Sequence, residues 1–214
     1  MLKVGVLISG RGSNLQSLIA ACAAPGFPAQ IACVISNKVD AKGLDHARAA
    51  NIPALIISHR DYADKQSFEA ALDAALEQQH VQLVCLAGFM RLLTSWFAGR
   101  WRDRLINIHP SLLPAFPGLD THEKVVEYGA KLTGCTVHFV RTEMDHGPII
   151  LQAAVPVLAN DTAETLAARV LQAEHKAYPA ALRLIAENRV NVFEERAFIA
   201  DAAASGEALF NPKA

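Results

Sequence analysis

Hydrophobic positions along this chain alternate between two rhythms. Residues 3–8 form a continuous apolar run around Val4, Val6 and Ile8, the pattern of a central parallel strand buried on both faces. The run breaks at residues 9–14, and Leu15, Leu18, Ile19 and Cys22 then recur at helical spacing. Residues 31–36 read as the next strand, 41–50 as a short helix and 54–57 as a third strand. An amphipathic helix is predicted over 61–79, with Phe68, Leu72, Ala75 and Leu76 on one stripe, and a strand over 81–87 follows it. This repeating order implies right-handed crossovers and a doubly wound parallel sheet.

Further on the pattern changes. A buried strand starts at Leu105, Ile106 and Ile108 and runs into a loop stiffened by Pro110, Pro114 and Pro117. Residues 121–130 look helical, while 134–140 and 149–155 read as strands too close together for a helical crossover. They are expected to pair as a hairpin-like excursion across the polar loop 141–148. A long helix is predicted over 162–188, opened by Asp161, Thr162 and Glu164 and kinked at Pro179, with Leu166, Val170, Leu171, Ala177 and Leu182 inward. Residues 189–199 read as an edge strand and 201–214 as a weakly ordered tail. The fold class is therefore α/β: one domain over 1–214, a Rossmann-like, mostly parallel doubly wound sheet with a carboxyl-side antiparallel extension.

Composition narrows the partners. With 214 residues, 52% hydrophobic and 19% charged, and a formal net charge of −1, the chain has ample material for a core. It has no broad basic surface for nucleic acid. No apolar run is long enough to cross a bilayer, and residues 1–9 enter the strand pattern without a signal-peptide cleavage region, so a cytoplasmic location is expected. Cys22, Cys33, Cys85 and Cys135 are widely separated in apolar settings. Four buried thiols are expected there, with neither a disulfide framework nor a metal site.

Candidate chemistry gathers where strands end. Asn107 and His109 occupy alternate strand positions, so they point to one side of the sheet at its carboxyl edge, where open α/β sheets bind ligands. The bland alternative is a turn-capping Asn107 and a satisfied, half-buried His109. Residues 9–14 join strand to helix through Gly10 and Gly12, an arrangement that brings free backbone amides to an anion. They lack the third glycine of a dinucleotide fingerprint and the Gly-Lys-Ser/Thr of a P-loop, and a plain tight turn is the alternative. Residues 88–93 could form an apolar rim with one cation for a flat heterocycle, though ordinary core is the slightly favoured reading. Glu174 and His175, in mid-helix, read as a solvated polar face. Ser111 raises a Ser–His hydrolase, but the G-x-S-x-G elbow is missing. His138 faces the same region as His109, whereas His46, His59 and His80 read as surface.

Four motifs, in this order and at this spacing, carry a resemblance. They are Ser9-Gly10-Arg11-Gly12-Ser13-Asn14-Leu15, Ala87-Gly88-Phe89-Met90-Arg91, Asn107-Ile108-His109-Pro110-Ser111-Leu112-Leu113-Pro114 and Asp145-His146-Gly147-Pro148. Together they resemble the phosphoribosylglycinamide formyltransferase family, folate-dependent enzymes of de novo purine synthesis, over residues 3–195. The resemblance implies transfer of the formyl group of 10-formyltetrahydrofolate to the amine of glycinamide ribonucleotide, without a metal. It implies a ribonucleotide-binding half over 1–100 and a folate-binding half over 101–200, in a monomer or weak homodimer. Asn107, His109 and Asp145 would be catalytic. Gly12, Ser13 and Asn14 would hold the substrate phosphate, with Glu174 at the glycinamide end. Met90, Arg91, Leu92 and Leu93, with Asn107 and the loop Val140, Arg141, Thr142, Glu143 and Met144, would wall the pterin pocket, and Lys65 would lie near the folate tail. A cis peptide at Leu113–Pro114 is implied as well.

Two positions depart from the family pattern: Asp120 stands where His is expected and His146 where Gly is expected. Formyltransferases and hydrolases on the same fold compete with this reading. A tRNA formyltransferase should add a carboxyl-terminal domain and a basic surface, and a formyltetrahydrofolate deformylase an amino-terminal regulatory domain; neither is expected here. A non-catalytic phosphate-binding sensor would have no use for three catalytic polar residues.

Overall fold

Strand β1 (Leu2–Ile8) pairs in parallel with β2 (Ala29–Ser36) on one side and with β4 (Leu83–Leu86) on the other. The computed structural model describes residues 1–202, 206 and 209–212. Outward from β2 lies the short β3 (Ala54–Ile56), and outward from β4 come β5 (Leu105–His109), β6 (Leu132–Phe139) and β7 (Ile149–Pro156). The seven-stranded order is β3-β2-β1-β4-β5-β6-β7, parallel as far as β5 and antiparallel from β6 onward. Winding reverses between β1 and β4, so a crevice opens beyond their carboxyl ends.

Helices cover both faces. Val4, Val6 and Ile8 point to one face, against Leu15 and Leu18 of α1 (Ser13–Ala23) and Leu166, Val170 and Leu182 of α6 (Ala163–Ala186). Leu7 and Val84 point to the other, against Phe68, Leu72 and Leu76 of α3 (Lys65–Gln78) and Phe97 and Trp101 beside α4 (Ser95–Arg100). Neighbouring residues of β1 thus serve different cores, which is why that strand shows no polar alternation. Two short helices, α2 (Gly43–Ala49) and α5 (Thr121–Tyr128), complete the layer on the first face. Tyr178 of α6 is fully buried, and its hydroxyl lies 3.0 Å from the Leu86 carbonyl and 3.2 Å from that of Ile106, on adjacent strands. Tyr178→Phe is therefore expected to lower unfolding free energy by about 1–2 kcal/mol in a urea titration, because carbonyls on a sealed face lose their donor. An unchanged midpoint would show that those carbonyls find other partners.

Several sequence expectations shift. The helix predicted over 61–79 starts at Lys65, because Asp64 caps it through the Ser67 amide at 2.7 Å, and a separate 3₁₀ turn, His59–Asp61, precedes it. Helix α4, a six-residue element that the periodicity does not reveal, is tied to α3 instead: the Glu69 carboxylate accepts from the Thr94 amide and hydroxyl, and Trp101 donates to Asp73 at 2.8 Å. Residues 189–199 are not an edge strand of the main sheet. They form a separate antiparallel hairpin, β8 (Val190–Phe193) and β9 (Arg196–Ile199), turned through Glu194 and Glu195, both at positive φ. Helix α6 opens with Thr162 paired to Thr165 rather than to Glu164, and it runs through Pro179 as one element. Cys22 is half-buried, while Cys33, Cys85 and Cys135 are buried, and all four are free thiols. The tail expectation falls partly on residues 203–205, 207–208 and 213–214, outside the described residues; Asn211 donates to the Lys131 and Val157 carbonyls. Among the described residues no helix is long and apolar enough to cross a membrane.

Candidate active site

The end of β1 supplies the first part of the site. Gly12 takes a left-handed φ of 76° at the start of α1, where no side chain caps the helix and its first turn carries no acidic residue. The first amides of α1 are thus left for an external acceptor, and the helix dipole adds a favourable field for an anion. A Cβ at Gly12 would lie 2.6 Å from the Gly43 Cα, so this turn also needs glycine for space. Asn14, on the first turn, donates its Nδ2 to Glu174 Oε2 at 2.6 Å, while its buried Oδ1 has no partner among the described residues. Glu174 is buried, 7% exposed, contrary to the solvated face expected for mid-helix. Burial raises its carboxyl above the usual range, opposed by the Asn14 hydrogen bond and the His109 charge.

The end of β5 supplies the second part. Asn107 is half-buried and His109 buried, and their register partners on β6 are His138 and Thr136. His109 Nδ1 lies 3.3 Å from Asp145 Oδ1, and Nε2 lies 3.0 Å from the Phe116 carbonyl. The second carboxylate oxygen of Asp145 accepts the Gly118 amide at 2.7 Å. Neutral imidazole has a single N–H and cannot donate to both acceptors, whereas imidazolium can. Burial pulls the His109 pKa down, but the Asp145 hydrogen bond, the Phe116 carbonyl and the charges of Asp145 and Glu174 together raise it. Burial likewise pushes Asp145 up, and the bonds from His109 and Gly118 bring it below the usual carboxylate range. His138 is driven the other way, lowered chiefly by burial, and its Nε2 sits 3.5 Å from Asn107 Nδ2. A neutral His138 accepting there would leave the other Asn107 N–H free to donate outward.

The proline-rich loop is held by residues that sequence reasoning did not single out. Thr136 donates to the Ser111 carbonyl at 2.7 Å and accepts the Leu113 amide at 3.0 Å, and Gln152 donates to the Leu113 carbonyl at 2.9 Å. The Leu113–Pro114 bond is cis. Ser111 is fully buried and gives its hydroxyl to the Ala115 carbonyl at 2.6 Å, so it is a loop brace and not a nucleophile. Thr136 and Gln152 sit at strand positions that look like ordinary alternation; only the pairing of β6 with β5 and β7 puts them beneath the loop.

Around these groups lies an apolar rim. Met90 and Leu92 are largely exposed and Arg91 is exposed, against the core reading of residues 88–93; of that stretch Phe89 is buried and Leu93 half-buried against the same core. The Met90 amide is fixed by the Ser9 hydroxyl at 2.8 Å. Beyond β6, Thr142, Glu143 and Met144 are exposed, Val140 is half-buried, and Arg141 turns its guanidinium to Asp103 and Glu195. Lys65 is the exposed first residue of α3. The departures from the family pattern fit locally. Asp120 takes the left-handed conformation that Asp tolerates, and exposed His146 needs no positive φ, which falls instead on its neighbours Asp145, φ 55°, and Gly147, φ 132°. A Cβ at Gly147 would stand 2.0 Å from the Phe139 carbonyl.

An uncapped helix start, a buried imidazole–carboxylate pair and an amide donor, all at the carboxyl edge of a doubly wound sheet, suit an enzyme that takes an anionic substrate and stabilises developing negative charge. The profile of the Formyl transferase family matches residues 2–182. A phosphoribosylglycinamide formyltransferase of Haemophilus influenzae is 41% identical over 93% of this chain and 94% of that protein. The human trifunctional purine biosynthetic protein adenosine-3 is 51% identical over 90% of this chain, yet the chain spans only 19% of its length. The crystal structure of glycinamide ribonucleotide transformylase 1 from Symbiobacterium toebii superposes with a TM-score of 0.92 at 49% identity, covering 94% of this chain and 95% of that one. The chain belongs to the formyl transferase family, in its phosphoribosylglycinamide formyltransferase branch.

Proposed function

We propose that this chain transfers the formyl group of 10-formyltetrahydrofolate to the amine of glycinamide ribonucleotide, a step of de novo purine biosynthesis, in the cytoplasm and as a monomer or weak homodimer. The observation that supports this reading best is the His109–Asp145 pair at 3.3 Å beside Asn107, set between the uncapped start of α1 and the exposed rim at Met90 and Leu92. On this reading residues 1–100 form the ribonucleotide half and 101–200 the folate half of one domain.

The ribonucleotide phosphate meets the amides of Gly12, Ser13 and Asn14. Glu174 and the unpartnered Oδ1 of Asn14 receive N–H groups of the glycinamide arm. The pterin lies against Met90, Arg91, Leu92 and Leu93 and the backbone of Val140, Arg141, Thr142, Glu143 and Met144, with Lys65 toward the tail. The exposed apolar surface of Met90, Leu92 and Met144 suits a flat heterocycle.

Attack of the amine on the formyl carbon forms the C–N bond and places negative charge on the formyl oxygen. Asn107 donates an N–H to that oxygen, and the His109 imidazolium adds a charge-assisted donor. The C–N10 bond then breaks, N10 takes a proton from the imidazolium, and Asp145 receives the amine proton directly or through water. No covalent enzyme intermediate is needed, because the nucleophile belongs to the substrate. The test is an assay of the pure protein with both substrates, measuring formylated ribonucleotide and free formate separately. Product that requires both substrates supports the reading; formate release without a formylated ribonucleotide would replace it with a deformylase.

A further inference from the structure

The loop that carries Asp145 into the site is held at its far end by Gly147, packed against the Phe139 carbonyl, and by the Gly118–Asp145 hydrogen bond. Its near end leaves the sheet at Val140, whose amide donates to the Leu105 carbonyl at 2.8 Å, and the next residue is held by charge. Arg141 is only 13% exposed, and each nitrogen of its guanidinium has an acceptor: Nη2 to Asp103 at 2.6 Å, Nε to Glu195 at 2.5 Å, and Nη1 to the Val140 carbonyl at 3.2 Å. Glu195 also pairs with Arg102. Asp103 lies in the turn between α4 and β5, and Glu195 in the turn of the β8–β9 hairpin; both take positive φ, 55° and 56°. Three segments remote in sequence therefore converge on one side chain. Loop and hairpin turn otherwise face each other across a cleft of about 440 Å³ lined by polar residues and Gly147, so charge rather than apolar packing joins them.

We propose that Arg141, Asp103 and Glu195 form an ionic clamp that positions loop 142–146 over the folate, and that the β8–β9 hairpin serves the active site by delivering Glu195. This rests on the folate assignment above. Arg141 is then a positioning residue: all three nitrogens of its guanidinium are engaged by the clamp and the Val140 carbonyl, and it acts on the folate through the loop. Thr142, Glu143 and Met144 hang exposed between the two anchored ends, so freedom gained at Arg141 passes directly to them. A network of charges meeting on one planar guanidinium, with two of its nitrogens taken by carboxylates, fixes direction better than isolated surface pairs do.

Glu195→Gln and Arg141→Met test the clamp in the full chain. Amide hydrogen exchange over 142–146, measured without ligand, should quicken in both variants while the melting temperature stays near wild type. The KM for 10-formyltetrahydrofolate should rise about three- to fivefold, the scale of a broken ion-pair network, with the ribonucleotide KM unchanged. The double variant should be no worse than Arg141→Met alone, and Arg141→Lys should recover part of the loss. Unchanged exchange in Glu195→Gln would overturn the clamp. Faster exchange with an unmoved folate KM, or an equal rise in both KM values, would overturn its role in folate positioning. Absence of formyl transfer in the wild type would retire the functional reading, and the exchange result would still decide whether the clamp exists.

Discussion

Asn107→Ala and His109→Ala are each expected to lower kcat by roughly 10²–10³ while substrate dissociation constants move little, the loss typical of removing one donor to a developing oxyanion. The reason lies in the placement of charge. Asn107 and His109 share one side of β5, so on the proposed mechanism one substrate group lies within reach of both, and His109 is held by Asp145 on Nδ1 and the Phe116 carbonyl on Nε2. In that mechanism the substrate takes over the Nε2 proton that the Phe116 carbonyl accepts in this structure. Because the three groups handle one oxyanion and one proton, their losses should be non-additive, with the triple variant little slower than His109→Ala. Asp145→Asn adds a pH signature. Asp145 raises the His109 pKa against the opposing pull of burial, so its carboxylate extends the range in which the imidazolium persists. Removing that charge lowers the pKa, and the alkaline limb of the kcat profile should move to lower pH instead of only scaling down. Near wild-type turnover of His109→Ala at saturating formyl donor would make the histidine structural and the mechanism wrong.

Gly12→Val should raise the KM for the ribonucleotide by on the order of ten- to a hundredfold, matching about 1–3 kcal/mol of backbone strain at a left-handed position. Two constraints coincide there: a φ of 76°, which a β-branched residue resists, and a Cβ that would meet the Gly43 backbone at 2.6 Å. Relief of either moves the amides that open α1 and spoils their convergence on a phosphate. The folate KM should change much less, since the rim proposed for the pterin, Met90 to Leu93, follows the end of β4 rather than the start of α1. Equal losses for both substrates would mean that the glycine loop supports the fold as a whole. A melting curve recorded alongside separates this outcome from simple unfolding.

What the chain reveals without its tertiary structure is whatever depends on local period and chain stiffness. The continuous apolar run at β1 announces a strand buried on both faces, and apolar runs also mark β2 and β4 as strands. Alternation places Asn107 and His109 on one side, and the break at residues 9–14 marks the glycine turn that opens α1. Those signals need only neighbours in sequence, because burial on both faces leaves no polar position for a strand to show. The roles proposed for Asn107, His109, Asp145, Glu174 and the loop 140–144 come from resemblance, which carries identities and no geometry. Folding alone decided which distant groups meet. Glu174, on a helix that reads as polar in the middle, is buried because α6 packs on α1 and brings it to Asn14. Asp145 becomes the partner of His109 only when β6 returns beside β5, with β7 on its far side, and Gly118 donates to its second oxygen. Likewise Arg141, expected at the pterin, turns to Asp103 and Glu195, since the hairpin folds as its own sheet instead of adding an edge strand. Hydrophobic period reports how deep a residue lies, whereas a site is made of pairings across elements. The direction of a charged side chain is set by whichever opposite charge the topology places within reach.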